Sequence, residues 1–473
     1  MSGADATFLY FETPSSHMHV LGTILVDTSE SPGWSADNVI ALFEQRLELL
    51  EPFRRKLVSA TLRLHHPVWT DVPDVDVASH VSRVHCAAPG TMKELADEVA
   101  AFASRQLDRN RPLWECLVVE GMADNRAAIV LKLHHCAVDG VGAARILGHV
   151  FDLGPEGRSE AELIGARTEA RARQKPEPGL VDVALHTVTG LAMRPVHTIR
   201  FLPTAVRAVA GIVAHRRSDE DTSGGALPLT APRVHFNGSI TPGRVVSYVD
   251  VPLQDVKDIK KIVGGTFNDA ITSITGGALR AYLASKDDLP DSSLIAVIPV
   301  SVRGGEEDVA ANRTSAMFTV LGTDIEDPVE RLKVVRQANL VGKGTQSAAG
   351  DNIVGQISEL APPNTTAVIA RFYGSLRLAD RHPVVHNVVI SNVAGPPIQI
   401  WMAGAKVEGL YPLGPVLEGP GLNITIVSYR DRVGFGLIAC DTKLPDLDDL
   451  AAQFPVAVAE LLAAARSEAA TAP

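Results

Sequence analysis

The stretch Leu131-Lys132-Leu133-His134-His135-Cys136-Ala137-Val138-Asp139-Gly140 places two adjacent histidines directly after an alternating apolar run. An aspartate lies four positions after the second histidine and is followed by glycine. An imidazole titrates near neutral pH and can take a proton from an alcohol, while a nearby carboxylate can hold a loop or fix a tautomer. The spacing HHxxxDG therefore predicts that the chemistry of this chain lies at the end of a strand.

The segments around this motif predict a frame for a site. Two alternating apolar runs, Trp114 to Val119 and Ala127 to Leu133, are separated by a short turn segment and predict a β-hairpin. Helical spacing resumes from Val141 to Phe151. Upstream, Thr91 opens a capping box for an amphipathic helix that we expect to end near Arg109-Asn110. The histidine pair is thus predicted to lie between a strand and a helix.

Length and composition limit the class of protein. A chain of 473 residues exceeds what one hydrophobic core usually supports, so we expect two large domains. Hydrophobic residues make up 46% and charged residues 21%, which is a globular balance. The formal net charge of −11 argues against generic nucleic-acid binding, which normally needs a basic surplus. The four cysteines form no CxxC pair and are interpreted as reduced thiols.

Nothing in the sequence predicts a signal peptide or a membrane span. The N-terminal residues lack a basic segment followed by an apolar one, and no apolar run free of charge approaches the roughly 18 residues that cross a bilayer. We therefore expect a cytoplasmic protein that is soluble or peripherally membrane-associated. Leu180 to His215 is mainly apolar with an excess of arginine, which is typical of a helix on an anionic lipid surface. A helix pair packed on the protein is the alternative.

The rest of the chain follows an α/β pattern. The charged segment from Gly154 to Pro178 predicts a solvated linker, as does Ser218 to Gly225. The strands predicted after these segments are Arg244 to Val251, Leu294 to Val302, Val384 to Ile390, Leu422 to Tyr429 and Val433 to Cys440. The predicted helices are Leu253 to Val263 and Phe267 to Ala284, the second capped by Thr266.

The motif by itself leaves other chemistries open. A histidine and a carboxylate four residues apart can share a metal ion on a helix, but two further ligands are needed and no HExxH set is visible. A serine hydrolase needs a nucleophile elbow, and no GxSxG occurs. Cys136 lies next to His135 as a candidate nucleophile, but adjacent side chains usually point apart. We favour a general base over both alternatives.

His134 to Gly140 matches the HHxxxDG signature of CoA-dependent acyltransferases and condensation domains. More specifically, the chain resembles the bacterial wax ester synthase/diacylglycerol acyltransferase family, in its triacylglycerol synthase branch. The other matching motifs are Ser2 to Leu9, Glu12-Thr13-Pro14 with Met18-His19, Arg111 to Trp114, Phe267 to Ala270, Pro299 to Arg303 and Ser391 to Pro396. Each is weak alone, but their order and spacing together with HHxxxDG make the resemblance specific.

The resemblance implies an α/β fold with mixed sheets, made of two chloramphenicol-acetyltransferase-like domains with a channel between them. We predict an N-terminal acyltransferase domain at residues 1–155, a linker and amphipathic helical segment at 156–230, and a C-terminal acyltransferase-like domain at 231–473. Acyl-CoA is expected to enter the channel from one face and the alcohol acceptor from the other.

The resemblance also implies roles for single residues. His135 is the expected general base, midway along the channel, and His134 supports it from behind. Asn268 is a candidate oxyanion donor through its amide NH2, with a helix N-terminal cap as the alternative. Asp139 is expected to pair with Arg303 and hold the catalytic loop.

The remaining site predictions concern structure around the channel. Gly140 and the small residues after it let a substrate or another backbone approach closely. Pro112, Leu113 and Trp114 are expected to shape the channel wall and fix the neighbouring strand, the alternative being a proline-restricted loop with a core tryptophan. The turn from Asn392 to Pro397 is interpreted as an interdomain connection. We predict no metal and no cofactor, since acyl-CoA is a substrate.

The predicted activity is transfer of a long-chain acyl group from acyl-CoA to diacylglycerol, giving triacylglycerol and CoA. Wax ester synthesis from long-chain alcohols is the near alternative. A non-catalytic lipid-binding or droplet-coating protein and a carrier-dependent condensation enzyme are the rivals from other classes. The expected partners are the two substrates and a membrane or lipid-droplet surface, without nucleic acid.

Overall fold

The computed structural model describes residues 1, 3–58, 66–138, 140–173, 226, 228–301, 314–349 and 363–471. The helices in these ranges are α1 (Gly3–Phe11), α2 (Ala36–Arg46), α3 (Met92–Ala103), α4 (Gly140–Val150), α5 (Glu160–Arg173), α6 (Leu253–Val263), α7 (Phe267–Ser285), α8 (Pro328–Ala349), α9 (Pro363–Ser375), α10 (Leu447–Ala451) and α11 (Gln453–Thr471).

The strands are distributed over two large sheets and a small hairpin. They are β1 (His19–Asp27), β2 (Arg55–Val58), β3 (Val68–Asp71), β4 (Val81–His85), β5 (Trp114–Met122), β6 (Arg126–His134), β7 (Arg244–Pro252), β8 (Ile295–Ser301), β9 (Thr314–Val320), β10 (Val388–Ala394), β11 (Trp401–Met402), β12 (Ala405–Leu413), β13 (Leu422–Tyr429) and β14 (Arg432–Cys440). The short pair β2 and β3 forms the hairpin.

Both large sheets are mixed. The first has the order β11-β12-β1-β6-β5-β4, in which β4 and β5 run parallel and the other neighbours are antiparallel. The second has the order β7-β14-β13-β10-β8-β9, in which β10 runs parallel to both β13 and β8. The predicted α/β fold with mixed sheets is therefore present, with the motif-bearing strand β6 at the centre of the first sheet.

A crossover joins the two halves of the chain. Strand β12 pairs with β1, from Leu21 opposite Leu413 to Asp27 opposite Lys406, although it belongs to the predicted C-terminal domain. The next strand, β13, returns to the second sheet. The linear division at 1–155, 156–230 and 231–473 stays a prediction, and the first sheet takes strands from both of its outer parts.

The second half matches the sequence pattern closely. Helix α6 and strand β13 have the predicted bounds, and Thr266 caps α7 by accepting a hydrogen bond from the backbone N–H of Asp269. One prediction was wrong: Asn392 does not lie in a connecting turn but in strand β10, paired with Ile426 of β13. The strand therefore begins and ends four residues later than the predicted Val384 to Ile390.

The predicted solvated linker contains a helix. Ser159 forms a cap for α5, because its hydroxyl donates to the Glu162 carboxylate and accepts from the Glu162 backbone N–H. Leu163 of this helix is fully buried, and Arg171 forms an ion pair with Glu48. A single buried leucine among charged residues gives little periodic signal, so the helix at Glu160–Arg173 was not predicted. Most of its described side chains are exposed, as expected of a solvated segment. Residues 180–215 lie outside the described residues.

Helix α3 also ends earlier than expected, at Ala103 instead of near Arg109. Lys132 of β6 lies at this end of the helix, where it is fully buried and donates to the carbonyl oxygens of Phe102 and Arg105 at 3.1 Å each. A cation at a helix C-terminus satisfies carbonyls that have no partner within the helix. The buried ammonium group is also paired with Glu115 at 2.8 Å.

A buried layer connects the two sheets. Its apolar members include Phe102 of α3, Val130 of β6, Val246 of β7 and Ile438 of β14, which belong to one core cluster. Polar bonds cross the same layer, among them a 2.8 Å hydrogen bond between the hydroxyls of Thr23 and Tyr248. The positions of the first and second sheets are thus fixed by packing and by hydrogen bonds. Within the described ranges, no helix combines the length and the apolar character needed to cross a bilayer.

Candidate active site

His135 lies where strand β6 ends. It is the first residue of a single helical turn, His135–Ala137, and its backbone N–H donates to the carbonyl oxygen of Met18 at 2.9 Å. Its ring stacks on Phe8 of α1, with the ring centroids 3.9 Å apart and the planes inclined by 13°. The side chain is only partly buried. The stacking fixes the plane of the imidazole and covers one of its faces.

His134 is fully buried behind it. Its Nδ1 accepts a hydrogen bond of 3.1 Å from the backbone N–H of Cys136, so this nitrogen carries no proton and the ring hydrogen lies on Nε2. Nε2 is 3.6 Å from a carboxylate oxygen of Glu12, which is slightly longer than a hydrogen bond. The contact assigns one tautomer to His134 and directs its N–H toward a negative charge.

Glu12 follows directly after α1 and is itself buried. Arg109 donates to its carboxylate, with a distance of 2.7 Å from Nε, and also donates to the carbonyl oxygen of Leu9 at 3.0 Å. Burial by itself raises the pKa of the Glu12 carboxyl, but His134 and Arg109 together outweigh it and lower the pKa below its ordinary value. Glu12 therefore carries its negative charge at neutral pH.

Helix α1 packs against the residues that surround the histidine pair. Leu9 and Tyr10 pack in a small apolar cluster with Leu113 and Cys136, the residue after His135. The sequence motif around α1 contributed to the family resemblance, but no role was assigned to Phe8 or Glu12. Neither could be found from local spacing, because more than a hundred residues separate them from the histidines that they contact.

Asp139 and Arg303 lie outside the described residues, so their ion pair stays a prediction. Gly140 is the first residue of α4, as the strand, loop and helix pattern predicted. Cys136 is buried, and burial raises the pKa of its thiol well above the ordinary value. A thiolate is the reactive form of cysteine, so this environment argues against Cys136 as a nucleophile.

Asn268 and Asn392 form a second pair of functional candidates. Asn268 lies in the first turn of α7 and Asn392 in β10, and the Asn392 amide NH2 donates to Oδ1 of Asn268 at 2.7 Å. Thr266 and not Asn268 caps the helix, which removes the capping alternative for Asn268. No hydrogen bond joins either asparagine to His134 in the part of the chain that the structure describes.

The PLW segment packs in the core beside the site. Trp114 is fully buried, stacks between Phe53 and His80, and donates from Nε1 to the carbonyl oxygen of Phe53 at 2.9 Å. This placement favours the core-tryptophan alternative over a channel wall for Trp114. Pro112 accepts a 2.8 Å backbone hydrogen bond from Trp114, and Leu113 accepts one of 3.0 Å from His134, so the segment fixes the end of β6.

The two halves of the chain meet in a tightly packed polar junction near β1. It is formed by His17, Met18, His19, Arg244, Gly414, Pro415, Val416 and Ile438. His19 stands opposite His134 in the pairing of β1 with β6, and burial holds its pKa well below the ordinary value. The guanidinium of Arg244 is buried as well, which lowers its pKa to about 10. The open channel expected between the domains stays a prediction.

Among the described residues, no three or more histidine, cysteine, aspartate or glutamate side chains come together as a metal site. The candidate groups that the structure describes are an oriented imidazole at His135, a buried carboxylate at Glu12, and an amide pair at Asn268 and Asn392. Such a set can move a proton and donate to a developing oxyanion.

The sequence of this chain matches the models of a known protein family. The family model for the wax ester synthase/diacylglycerol acyltransferase catalytic domain matches residues 1–271, and the one for the WS/DGAT C-terminal domain matches residues 310–462. A Mycobacterium tuberculosis protein with the provisional name diacylglycerol O-acyltransferase is 33% identical over 464 residues, which cover 98% of this chain and 90% of that protein.

Two solved structures show the same architecture. The wax ester synthase/diacylglycerol acyltransferase from Marinobacter aquaeolei VT8 superimposes with a TM-score of 0.67 and 27% identity over 98% of both chains. A trichothecene 15-O-acetyltransferase from Fusarium sporotrichioides has a TM-score of 0.57 and 16% identity over 98% of this chain and 94% of that one, which is a likeness of fold. The predicted fold class is confirmed.

Proposed function

Because the chain belongs to the wax ester synthase/diacylglycerol acyltransferase family, it is an acyltransferase, and we propose that it moves a long-chain acyl group from acyl-CoA to diacylglycerol. The products are triacylglycerol and CoA. The observation that carries the proposal is His135, the second histidine of HHxxxDG, held by Phe8 at the end of β6. The provisional name of the M. tuberculosis relative favours diacylglycerol as the acceptor.

His135 acts as the general base in this proposal. The neutral imidazole removes the proton from the acceptor hydroxyl, whose oxygen attacks the thioester carbonyl carbon and forms a tetrahedral intermediate. When the carbon–sulfur bond breaks, the imidazolium returns the proton to the departing thiolate, giving CoA and the new ester. The same histidine accepts the proton and later returns it, so the reaction needs no covalent enzyme intermediate. We propose that it also needs no metal and no cofactor.

Asn268 supports the oxyanion in the same scheme. Its amide oxygen already accepts from Asn392, which orients the side chain so that the NH2 group is the part left to donate. A donor that is preorganised toward developing negative charge lowers the barrier of acyl transfer. His134 and Glu12 act behind the base, where the buried carboxylate faces the His134 N–H and stabilises the turn that carries His135.

Wax ester synthesis is the second candidate, and the name of the Marinobacter structure includes it. The two activities share the acyl donor and differ in the acceptor. A lipid-binding protein without activity predicts no CoA release, and a carrier-dependent condensation enzyme predicts no transfer from free acyl-CoA.

We also propose that the enzyme works on a membrane or lipid-droplet surface from the cytoplasmic side, because diacylglycerol and triacylglycerol are insoluble in water. The basic segment Leu180 to His215 supports this at the level of sequence. It lies outside the described residues.

The test is purified full-length protein with oleoyl-CoA and separate acceptors: diacylglycerol, monoacylglycerol and a long-chain alcohol. Released CoA and chromatographically resolved esters are measured. Triacylglycerol as the main product supports the proposal, and wax ester as the main product supports the second candidate. Absence of CoA release with every acceptor would reject both.

A further inference from the structure

Helix α9 and the turn after it present a row of apolar side chains to solvent. The exposed fractions are 49% for Val368, 61% for Ile369, 59% for Phe372 and 52% for Leu376. Val368, Phe372 and Leu376 are spaced four residues apart, so they lie along one face of the helix. Ala370, on another side, is buried against the protein. These four exposed residues are called the α9 face below.

The charges around the α9 face have one sign on the helix. Residues 363–375 contain no aspartate or glutamate, and Arg371 is exposed beside Phe372. Arg377 and Arg381 follow and are exposed too, with Arg377 paired to Asp380 at 2.8 Å. Within the described part of the chain, neither Arg371 nor Arg381 forms an ion pair with a carboxylate. Two carboxylates also lie near the end of the helix, Asp380 and Glu418, the second of which is close to Gly374. The three arginines therefore leave a small basic excess beside the α9 face, in a chain whose formal net charge is −11.

The α9 face lies close to the candidate base. Helix α9 packs against α1, and Ala367 contacts the apolar cluster that contains Leu9 and Cys136. Helix α1 in turn carries Phe8, which stacks on His135, and the half-exposed Phe11 at its end. One helix therefore separates the α9 face from the residues around His135.

We propose that the α9 face docks the enzyme on an anionic lipid surface, with Val368, Ile369, Phe372 and Leu376 inserted and the neighbouring arginines at the headgroups. An amphipathic helix with an apolar face and a basic rim binds in this way, by burial of apolar area and by attraction to anionic lipids. A protein partner would need carboxylates matched to each arginine, whereas an anionic bilayer supplies negative charge at every position. The proposal rests on the proposed function for its lipid acceptor, and it places the entry of that acceptor next to α1.

The test uses full-length protein and flotation with vesicles of phosphatidylcholine and phosphatidylglycerol, compared with vesicles of phosphatidylcholine alone. The double variant Ile369→Asp/Phe372→Asp is expected to bind the mixed vesicles about tenfold less than wild type or weaker, because two charged groups then oppose insertion. The control is Val456→Asp, since Val456 of α11 has a similar exposure of 58%. It should float like wild type.

A second variant tests the charges without touching the apolar row. Arg371→Glu/Arg381→Glu should reduce binding to the mixed vesicles and leave binding to neutral vesicles nearly unchanged, and added salt should weaken wild-type binding in the same direction. Thermal melts of all variants establish that each is folded.

Activity on a water-soluble short-chain alcohol separates this proposal from the proposed function. The α9 variants should retain that activity and lose activity on diacylglycerol in vesicles.

If wild type does not float, or if the aspartate variants float as well as wild type, the docking proposal is overturned whatever the activity. If the wild type is a dimer in solution and the aspartate variants are monomers that float as well as wild type, the α9 face is a subunit interface and the docking proposal is overturned. Loss of acyl transfer by every protein, wild type included, would instead reject the proposed function.

Discussion

The rings of Phe8 and His135 are stacked nearly parallel, 3.9 Å apart, although 127 positions of sequence separate them. The N-terminal helix thus sets the plane in which the candidate base can move its proton. Orientation of a catalytic group contributes to the rate itself, and small misplacements are costly.

Phe8→Ala removes the ring that orients His135. We expect kcat to fall about tenfold while KM for acyl-CoA changes little, since the loss affects geometry in the transition state. Phe8→Tyr keeps a stacking ring and should keep most of the activity. Steady-state kinetics with oleoyl-CoA measures both. Equal losses in the two variants, at unchanged melting temperature, would show that the stacking does not position the base.

The two histidines should differ strongly in their contribution. His135→Ala is expected to lower turnover by about 100-fold or more, as for loss of a general base, and by far more than His134→Ala. His134 faces Glu12 and the Cys136 N–H, so its replacement should lower the melting temperature as well as the rate. Comparison of kcat in folded variants decides the matter, and an equal or reversed order would reject His135 as the base.

Glu12 should make the stability of the enzyme depend on pH. Its pKa lies below the ordinary value because His134 and Arg109 outweigh burial. A carboxyl with a lower pKa in the folded protein stabilises it above the unfolded pKa, and this contribution is lost as the pH falls through the folded pKa. At neutral pH we expect the free energy of unfolding of wild type to be larger than that of Glu12→Gln by about 1 kcal/mol. The difference is small because Arg109 is 44% exposed and solvent screens its charge, and it should shrink in acid. Melting curves against pH test this, and a constant difference would contradict it.

Asn268→Asp separates the donor from the acceptor function of this side chain. The oxygen that accepts from Asn392 is retained, but the NH2 group is lost, so we expect kcat to fall about 100-fold with little effect on folding. Asn392→Ala is the matched control, because it removes the partner and leaves the donor, and its effect should be about tenfold or less. Wild-type kcat in Asn268→Asp would exclude Asn268 as the oxyanion donor.

The predicted ion pair of Asp139 with Arg303 can be tested by comparing the unfolding free energies of single and double variants. Each single alanine variant should lose a few kcal/mol of stability at most, roughly the cost of leaving one buried charge unpaired. The double variant should lose much less than the sum of the two. Unfolding by denaturant gives all three values, and additive losses would reject the pair.

Local patterns in the sequence predicted the elements whose signals are local. Helix α6 and strand β13 have the expected bounds because regular apolar spacing runs through their whole length. The strand that ends in the histidine pair was placed for the same reason. Helix α5 was missed since its apolar signal reduces to one buried leucine, although the capping box at Ser159 was present in the sequence.

Contacts between distant segments could not be predicted in this way. The carbonyl of Phe102 at the end of α3 accepts a hydrogen bond from Lys132, which belongs to the second strand after the helix. The orientation of the histidine pair depends on Phe8 and Glu12, and the setting of Asn268 depends on Asn392. Each of these is a tertiary contact, for which spacing along the chain carries no information.

The pairing of β12 with β1 makes the two halves of this chain inseparable as fragments. An N-terminal piece that ends anywhere before Ala405 lacks β12, and it would expose the edge of β1 along most of its length. Unpaired strand edges are templates for aggregation. A truncated enzyme that keeps HHxxxDG would therefore be an incomplete sheet, and complementation by separately expressed halves would require strand exchange between them.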